Sequence, residues 1–192
     1  MRLAIALLLL FLICACQSAH MVKPSLLGSP INKDIKFTST DNKTISLPDL
    51  GAGKMGTVLI FWQRLCPCVK RYQNRINLLF DRYNDKLAFF HVSSNANENF
   101  HEVMHEYKHR QVPLPLIRDE GAQLKKALDV RGTPSASLLN NKGEIMFLGW
   151  IDNERDVNER GRKAYLEDAI AQFLKGEPIS VRSSPMFGCA IR

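Results

Sequence analysis

The chemistry in this sequence concentrates at Cys66-Pro67-Cys68. A thiolate is the nucleophile in disulfide exchange, so a reactive cysteine needs surroundings that favour negative sulfur. Proline is favoured as the first residue of a helix, because its missing N–H would have no intrahelical partner there. Val69, Tyr72, Ile76, Leu79, Phe80 and Tyr83 then recur at spacings of three and four, the period of an amphipathic helix. Cys66 is therefore placed at the N-cap, facing unpaired N–H groups and the positive end of the helix dipole. Arg64, Lys70 and Arg71 add positive charge nearby. These features predict a nucleophilic Cys66 with a lowered pKa. The same two thiols also suit a soft ion, and the alternative reading is a copper-binding or copper-delivery module using Cys66 and Cys68, although no third ligand is evident in the sequence. His101, His105 and His109 recur every four residues and could line a metal site. Phe100, Val103, Met104 and Tyr107 form the apolar stripe of that helix, however, which leaves the histidines on a solvated face.

The elements around this segment follow from pattern. Thr57 to Trp62 is an unbroken apolar run just upstream, suited to a central strand buried on both faces. Two short β-prone runs between Ile35 and Leu47 flank Asp41-Asn42-Lys43, a hairpin signal. Downstream, strands are expected at 87–94, 114–117 and 135–139, alternating with helices at 97–110 and 121–128. His91 falls inside the first of these strands as a core residue. The turn Asn140-Asn141-Lys142-Gly143 leads into a hairpin strand at 144–151, and a helix over 162–174 ends at Gly176. The charged residues from Asp152 to Arg162 read as an exposed loop. Strands alternating with helices imply an α/β fold, one domain, with a central mixed sheet flanked by helices.

Composition fits that fold. The chain has 192 residues, 45% hydrophobic and 23% charged, enough for one ordinary domain. A net charge of +7 spread over isolated or paired basic residues describes a solvated surface and argues against a nucleic-acid partner. Leu3 to Ile13 is an apolar run too short to span a bilayer and suited to a signal peptide. It ends at Ile13-Cys14-Ala15-Cys16, which resembles the bacterial lipobox. The expected organisation is a lipoprotein-type signal peptide over 1–15, a tether over 16–33 with Cys16 lipidated, the folded domain over 34–176, and a tail over 177–192 carrying Cys189. Gln17 is not aspartate, so nothing there signals inner-membrane retention. A periplasmic-side, lipid-anchored envelope protein is expected, on the outer membrane in preference to the inner.

Phe61-Trp62-Gln63-Arg64-Leu65-Cys66-Pro67-Cys68-Val69-Lys70 resembles the strand-to-helix active site of the thioredoxin superfamily, and Arg131-Gly132-Thr133-Pro134-Ser135 resembles its cis-proline loop. With the N-terminal hairpin, the chain is similar to the redoxin family, also called alkyl hydroperoxide reductase/thiol-specific antioxidant-like. Within it, a branch with a Cys-Pro active site has a Gly-x-Ile-Asp segment and a C-terminal Gly-Cys tail; here these are Gly149-Trp150-Ile151-Asp152 and Gly188-Cys189. The resemblance implies a thioredoxin-like fold and a thiol–disulfide oxidoreductase without cofactor. It also implies a cis Pro134 beside the nucleophile, and a Thr133 whose backbone receives a partner's extended chain. The partners would be envelope proteins with thiols or disulfides.

The departures sharpen the expectation. The spacing is Cys-x-Cys, with Val69 where the superfamily's resolving cysteine stands. Ile60 lies where thioredoxins keep a buried acid. Gln63, Arg64 and Leu65 replace the proline and hydroxyl that peroxiredoxins use to polarise a peroxide, so peroxidase chemistry has no visible apparatus. Residues two apart on a helix diverge, so a Cys66–Cys68 bridge depends on the N-cap being non-helical. Cys66–Cys189 is the rival pairing, and the sequence leaves both open. Residues 180–192 have no period, yet they hold Met186, Phe187, Cys189 and Ile191. Docking these side chains would remove apolar area from water at roughly 25 cal/mol per Å². Cys189 is then either a resolving thiol or a packing cysteine.

Overall fold

In a computed structural model, residues 20–153 and 160–192 are described. The element order is β1 (Lys36–Ser39), β2 (Thr44–Ser46), α1 (Leu47–Leu50), β3 (Gly56–Phe61), α2 (Pro67–Tyr83), β4 (Leu87–Ser93), α3 (Phe100–His109), β5 (Leu116–Asp119), α4 (Gln123–Ala127), β6 (Gly132–Thr133), β7 (Ala136–Asn140), β8 (Ile145–Gly149), α5 (Tyr165–Lys175) and β9 (Cys189–Ala190). Seven strands form a mixed sheet in the order β2-β1-β5-β4-β3-β7-β8. The pairs β3–β4 and β4–β5 are parallel, and the hairpins at either edge are antiparallel.

The buried apolar run became the centre of the sheet. Every residue of β3 is buried, and its side chains alternate between two cores as a period of two requires. Val58 and Ile60 pack with Tyr72 and Ile76 of α2 and Leu166 and Ile170 of α5. Leu59 and Phe61 face the opposite core, with Leu47 and Leu50 of α1 and Leu124 of α4. The first hairpin turns at Asn42, whose φ of 61° is one that asparagine tolerates.

Several boundaries moved for local reasons. The strand expected at 114–117 begins at Leu116, because Pro113 and Pro115 have no N–H for the ladder. The Pro115 carbonyl still accepts from His91 N–H at 2.8 Å. The helix expected from 97 starts at Phe100, with the Asn99 side chain accepting the His101 N–H at 2.9 Å as its cap. Helix α1 was not anticipated, although Ser46 and Asp49 form the capping box that signals it.

The tether expected over 16–33 is corrected for its described part. His20 exchanges main-chain hydrogen bonds with Met186, Gly28 N–H donates to Ile145, and Val22 and Ile31 are buried in the core. Residues 20–33 are a strap over the domain. Asp152 is likewise corrected: placed in an exposed loop from sequence, it is 1% exposed. Residues 154–159 of that loop, and the signal segment with Cys14 and Cys16, lie outside the described residues.

His91 is fully buried, as expected, and makes a pH prediction. Its Nδ1 lies 2.8 Å from the Tyr107 hydroxyl, which itself donates to the Leu114 carbonyl at 2.7 Å. Nδ1 is therefore the protonated nitrogen. Among the described residues no hydrogen-bond partner reaches Nε2. Burial lowers the His91 pKa from 6.5 to about 3. The native state stays neutral while an unfolded chain takes a proton, so stability is present above pH 6.5 and is lost as pH falls towards 3. The expected contribution is about 1.4 kcal/mol per pH unit inside that window. Urea unfolding at several pH values should show this slope in the native chain and a shallower one in His91→Gln; parallel slopes would refute it.

Candidate active site

Strand β3 ends at Phe61 and hands the chain through Trp62 and Gln63 to the start of α2. Cys66 is the N-cap, with φ −79° and ψ 114°, and Pro67 is the first helical residue. The Cys66 carbonyl accepts the first helical bond, from Lys70 N–H at 3.2 Å. This is the geometry that the Cys-Pro spacing predicts. Trp62, Val69, Val103, Tyr107 and Leu116 surround Cys66, which is 3% exposed.

Thr133–Pro134 is a cis peptide bond. The Cys66 sulfur lies 3.4 Å from the Thr133 carbonyl oxygen, so the proline loop and the helix N-terminus meet at this cysteine. Opposite them runs the tail. Cys66 and Cys189 form a disulfide, with a Cα separation of 5.8 Å and 123 residues between them in sequence. That distance is inside the range a bridge requires. Of the two pairings left open by sequence, the structure holds Cys66–Cys189. Cys68 is already helical and half-buried; Arg71 Nη2 lies 4.0 Å from its sulfur. All three sulfurs lie within 4.8 Å of one another.

Thr133, expected to receive a partner's chain, pairs instead with the protein's own tail. Strands β6 and β9 are antiparallel, with Gly132 opposite Ala190 and Thr133 opposite Cys189. Gln63 ties the two together: its Nε2 donates to the Ala190 carbonyl at 3.1 Å, and its Oε1 accepts from the Thr133 hydroxyl at 2.7 Å. Sequence reasoning noted Gln63 only as a departure and missed this role. A buried polar residue between a strand and a cysteine was the available signal.

Glu98 was also missed. Its carboxylate accepts the Arg64 N–H at 3.0 Å and so pins the loop that precedes Cys66. Half-burial raises its pKa, against the pull of the N–H groups of Arg64 and Leu65. The nearby cations are distributed among partners. Arg64 pairs with Glu102 at 2.8 Å, Arg110 lies over Trp62, and Lys70 is exposed. His101, His105 and His109 are exposed, as the helical stripe predicts. Ile60 is fully buried, so an aliphatic side chain stands where an acid was looked for.

Residues 30–148 match the model of the AhpC/TSA family, more than half of the chain and the whole strand–helix–loop frame of the site. The chain belongs to the AhpC/TSA family. Among curated relatives, it is 27% identical over 107 residues to the sporulation thiol-disulfide oxidoreductase A of Bacillus subtilis strain 168, covering 55% of this chain and 63% of that protein. The chain thus spans less than two thirds of that relative's length. Among solved structures, an uncharacterized conserved protein from Geobacillus kaustophilus superposes with a TM-score of 0.76 at 22% identity, over 92% of this chain and 96% of that one. The pneumococcal exposed lipoprotein thioredoxin from Streptococcus pneumoniae strain TIGR4 gives 0.55 at 21% identity, over 73% and 97%. At such identities the structural likeness establishes the thioredoxin-like fold.

Proposed function

We propose that this protein is an extracytoplasmic thiol–disulfide oxidoreductase in which Cys66 is the nucleophile and Cys189 the resolving cysteine. The observation that carries the reading is the Cys66–Cys189 disulfide at the junction of the α2 N-terminus and the cis-Pro134 loop. The match to the sporulation oxidoreductase supports the same class of activity. In the reduced chain the helix N-terminus favours the Cys66 thiolate. That thiolate attacks a partner's disulfide and forms a mixed disulfide, and one partner sulfur leaves as thiolate. Cys189 then attacks the Cys66 sulfur, closes the intramolecular bond and releases the partner's second thiolate. Two electrons pass to the partner; the opposite direction uses the same steps in reverse.

The site of action is the cell envelope, with the lipid of Cys16 as membrane anchor and envelope thiol or disulfide proteins as partners. The lipobox-like Ile13-Cys14-Ala15-Cys16 and the likeness to an exposed lipoprotein thioredoxin support this. His20, four positions after Cys16, pairs with Met186, so a lipid on Cys16 would hold the domain close to the membrane surface.

A thiol redox titration with mass mapping tests the reading. A two-electron transition belonging to Cys66–Cys189 is expected. Cys66→Ser is expected to abolish exchange, and Cys189→Ser to leave a long-lived mixed disulfide on Cys66. A bridge mapped to Cys66–Cys68, or full turnover in Cys189→Ser, would overturn the assignment. One observation favours the copper reading as a second function: Cys189 supplies the third sulfur that the sequence lacked beside Cys66 and Cys68. Three thiolates suit Cu(I), and the reduced chain is then expected to take up one Cu(I) ion, with oxidation to the disulfide releasing it.

A further inference from the structure

The tail segment 187–192 is held position by position along a slot beside Cys66. Besides the β6–β9 pairing and the Gln63 bond to Ala190, Ile191 N–H donates to Arg131 at 2.9 Å. Lys125 Nζ donates to the Ile191 carbonyl at 2.8 Å, and Ala96 N–H donates to the Arg192 carbonyl at 2.8 Å. Main-chain bonds of this kind hold any extended segment; the side-chain positions supply selectivity. Three positions are demanding. Gly188 has φ +103°, and a Cβ there would stand 2.9 Å from Trp150 Cη2 and within the Thr133 backbone. Cys189 meets Cys66. Ile191 is 7% exposed, in the same core as Leu124, Leu128 and Val130. Phe187, which rests edge-on against Trp150 and is 42% exposed, is a looser requirement.

The family resemblance already places a partner's extended chain beside the cis-proline loop; we propose that this slot selects that chain by sequence, through the same positions that fit the tail. The selected segment has glycine immediately before its reactive cysteine and an aliphatic residue two positions after it. In the oxidised chain the tail occupies the groove as an intramolecular stand-in. The proposal rests on the oxidoreductase reading above and adds the class of partner sequence. It also gives the tail a second task. Once the partner's cysteine is joined to Cys66, the returning tail brings the Cys189 thiolate and takes back the strand position. The bond to the partner breaks, the partner sulfur leaves as thiolate and takes its proton from water, and the product strand is displaced in the same event.

The test uses the reduced full chain carrying Cys189→Ser, which stops at the mixed disulfide. The probes are peptides of sequence Phe-Gly-Cys-Ala-Ile, Phe-Ala-Cys-Ala-Ile and Phe-Gly-Cys-Ala-Ser, each with thionitrobenzoate on its cysteine. Thionitrobenzoate release gives the rate, normalised to the rate with free glutathione, and mass spectrometry maps the adduct to Cys66. The first peptide is expected to react at least about tenfold faster than either of the others, the factor that corresponds to 1.4 kcal/mol. Adding Gly188→Ala to the chain should unseat its own tail and raise the rate with the first peptide. Equal rates for the three peptides, or no effect of Gly188→Ala, would overturn the proposal while Cys66 adducts still form. Failure of the parent reading looks different: no peptide would label Cys66 at all.

Discussion

Reduction of the Cys66–Cys189 bond is expected to lower the unfolding free energy of the chain by about 4 to 5 kcal/mol. The bridge closes a loop between residues 123 apart, and chain-entropy reasoning assigns about 4.7 kcal/mol to a loop of roughly 100 residues. The bridge is one of several ties on the tail, which is also paired with Thr133, bonded to Gln63 and Lys125, and buried at Met186 and Ile191; chain-entropy reasoning assigns the contribution of the bond itself to the unfolded state. The effect therefore acts through the unfolded chain, which gains freedom when the loop opens. Urea unfolding followed by the fluorescence of Trp62 and Trp150, with and without dithiothreitol, measures it. The reduced chain should unfold at lower urea, with a slope at least as steep because its unfolded state is more open. Cys189→Ser should match the reduced chain under both conditions. A difference below about 1 kcal/mol would mean that this loop is not closed in solution. By linkage, the folding free energy that the bond adds is also the free energy by which folding favours the bond. The folded domain thus favours its own oxidised state.

How much of this site was legible in the sequence depended on the range of each interaction. Cys66 at a helix N-cap was readable because the signals are local: a buried strand, a proline at the first helical position, then a three-four period. The solvated His101, His105 and His109 stripe was readable for the same reason. The strap over 20–33 was not, because its bonds go to Ile145 and Met186, more than a hundred residues away, and its few apolar residues follow no period. The two-residue strands β6 and β9 are too short to leave a pattern, and only their pairing defines them. The choice of Cys189 over Cys68 was equally non-local: it depends on Gly188 and Gly132 allowing two backbones to approach closely, as a Cβ at Gly132 would stand 2.8 Å from the Phe187 carbonyl oxygen. Glu98 and Gln63 look like ordinary polar residues until the loop and tail that they hold are in place.

Asp152 shows the same limit and carries the second large prediction. By composition it opens a charged loop, yet its carboxylate is buried and organises the support beneath the tail. Its Oδ1 accepts from the Tyr72 hydroxyl at 2.8 Å, and Arg75 Nη1 reaches both oxygens, at 2.9 and 2.7 Å. The Tyr72 hydroxyl in turn accepts the Trp150 Nε1–H at 2.9 Å, and the Trp150 backbone N–H donates to Ser184 at 2.7 Å. Trp150 is thereby fixed between α2 and the tail, where Phe187 and Gly188 rest on it. Replacing Asp152 with alanine removes the Tyr72 hydroxyl's bond to Oδ1 and both Arg75 contacts at the carboxylate. Breaking such a pair by removing one partner is destabilising by about 3 to 5 kcal/mol. The Arg75 side chain is 25% exposed and can turn towards water, so the lower end, about 3 kcal/mol, is expected. Asp152→Asn keeps the shape and one acceptor oxygen and should lose about half as much, since a neutral hydrogen bond is worth about half of a charge-assisted one. Urea midpoints of the oxidised variants measure this directly. A second readout separates a general loss of stability from a loosened tail. The glutathione ratio at which Cys66–Cys189 is half closed should shift towards more oxidising mixtures in Asp152→Ala, at temperatures where the domain is still folded. A loss below about 1 kcal/mol, or an unchanged glutathione ratio, would show that Trp150 holds the tail without this carboxylate.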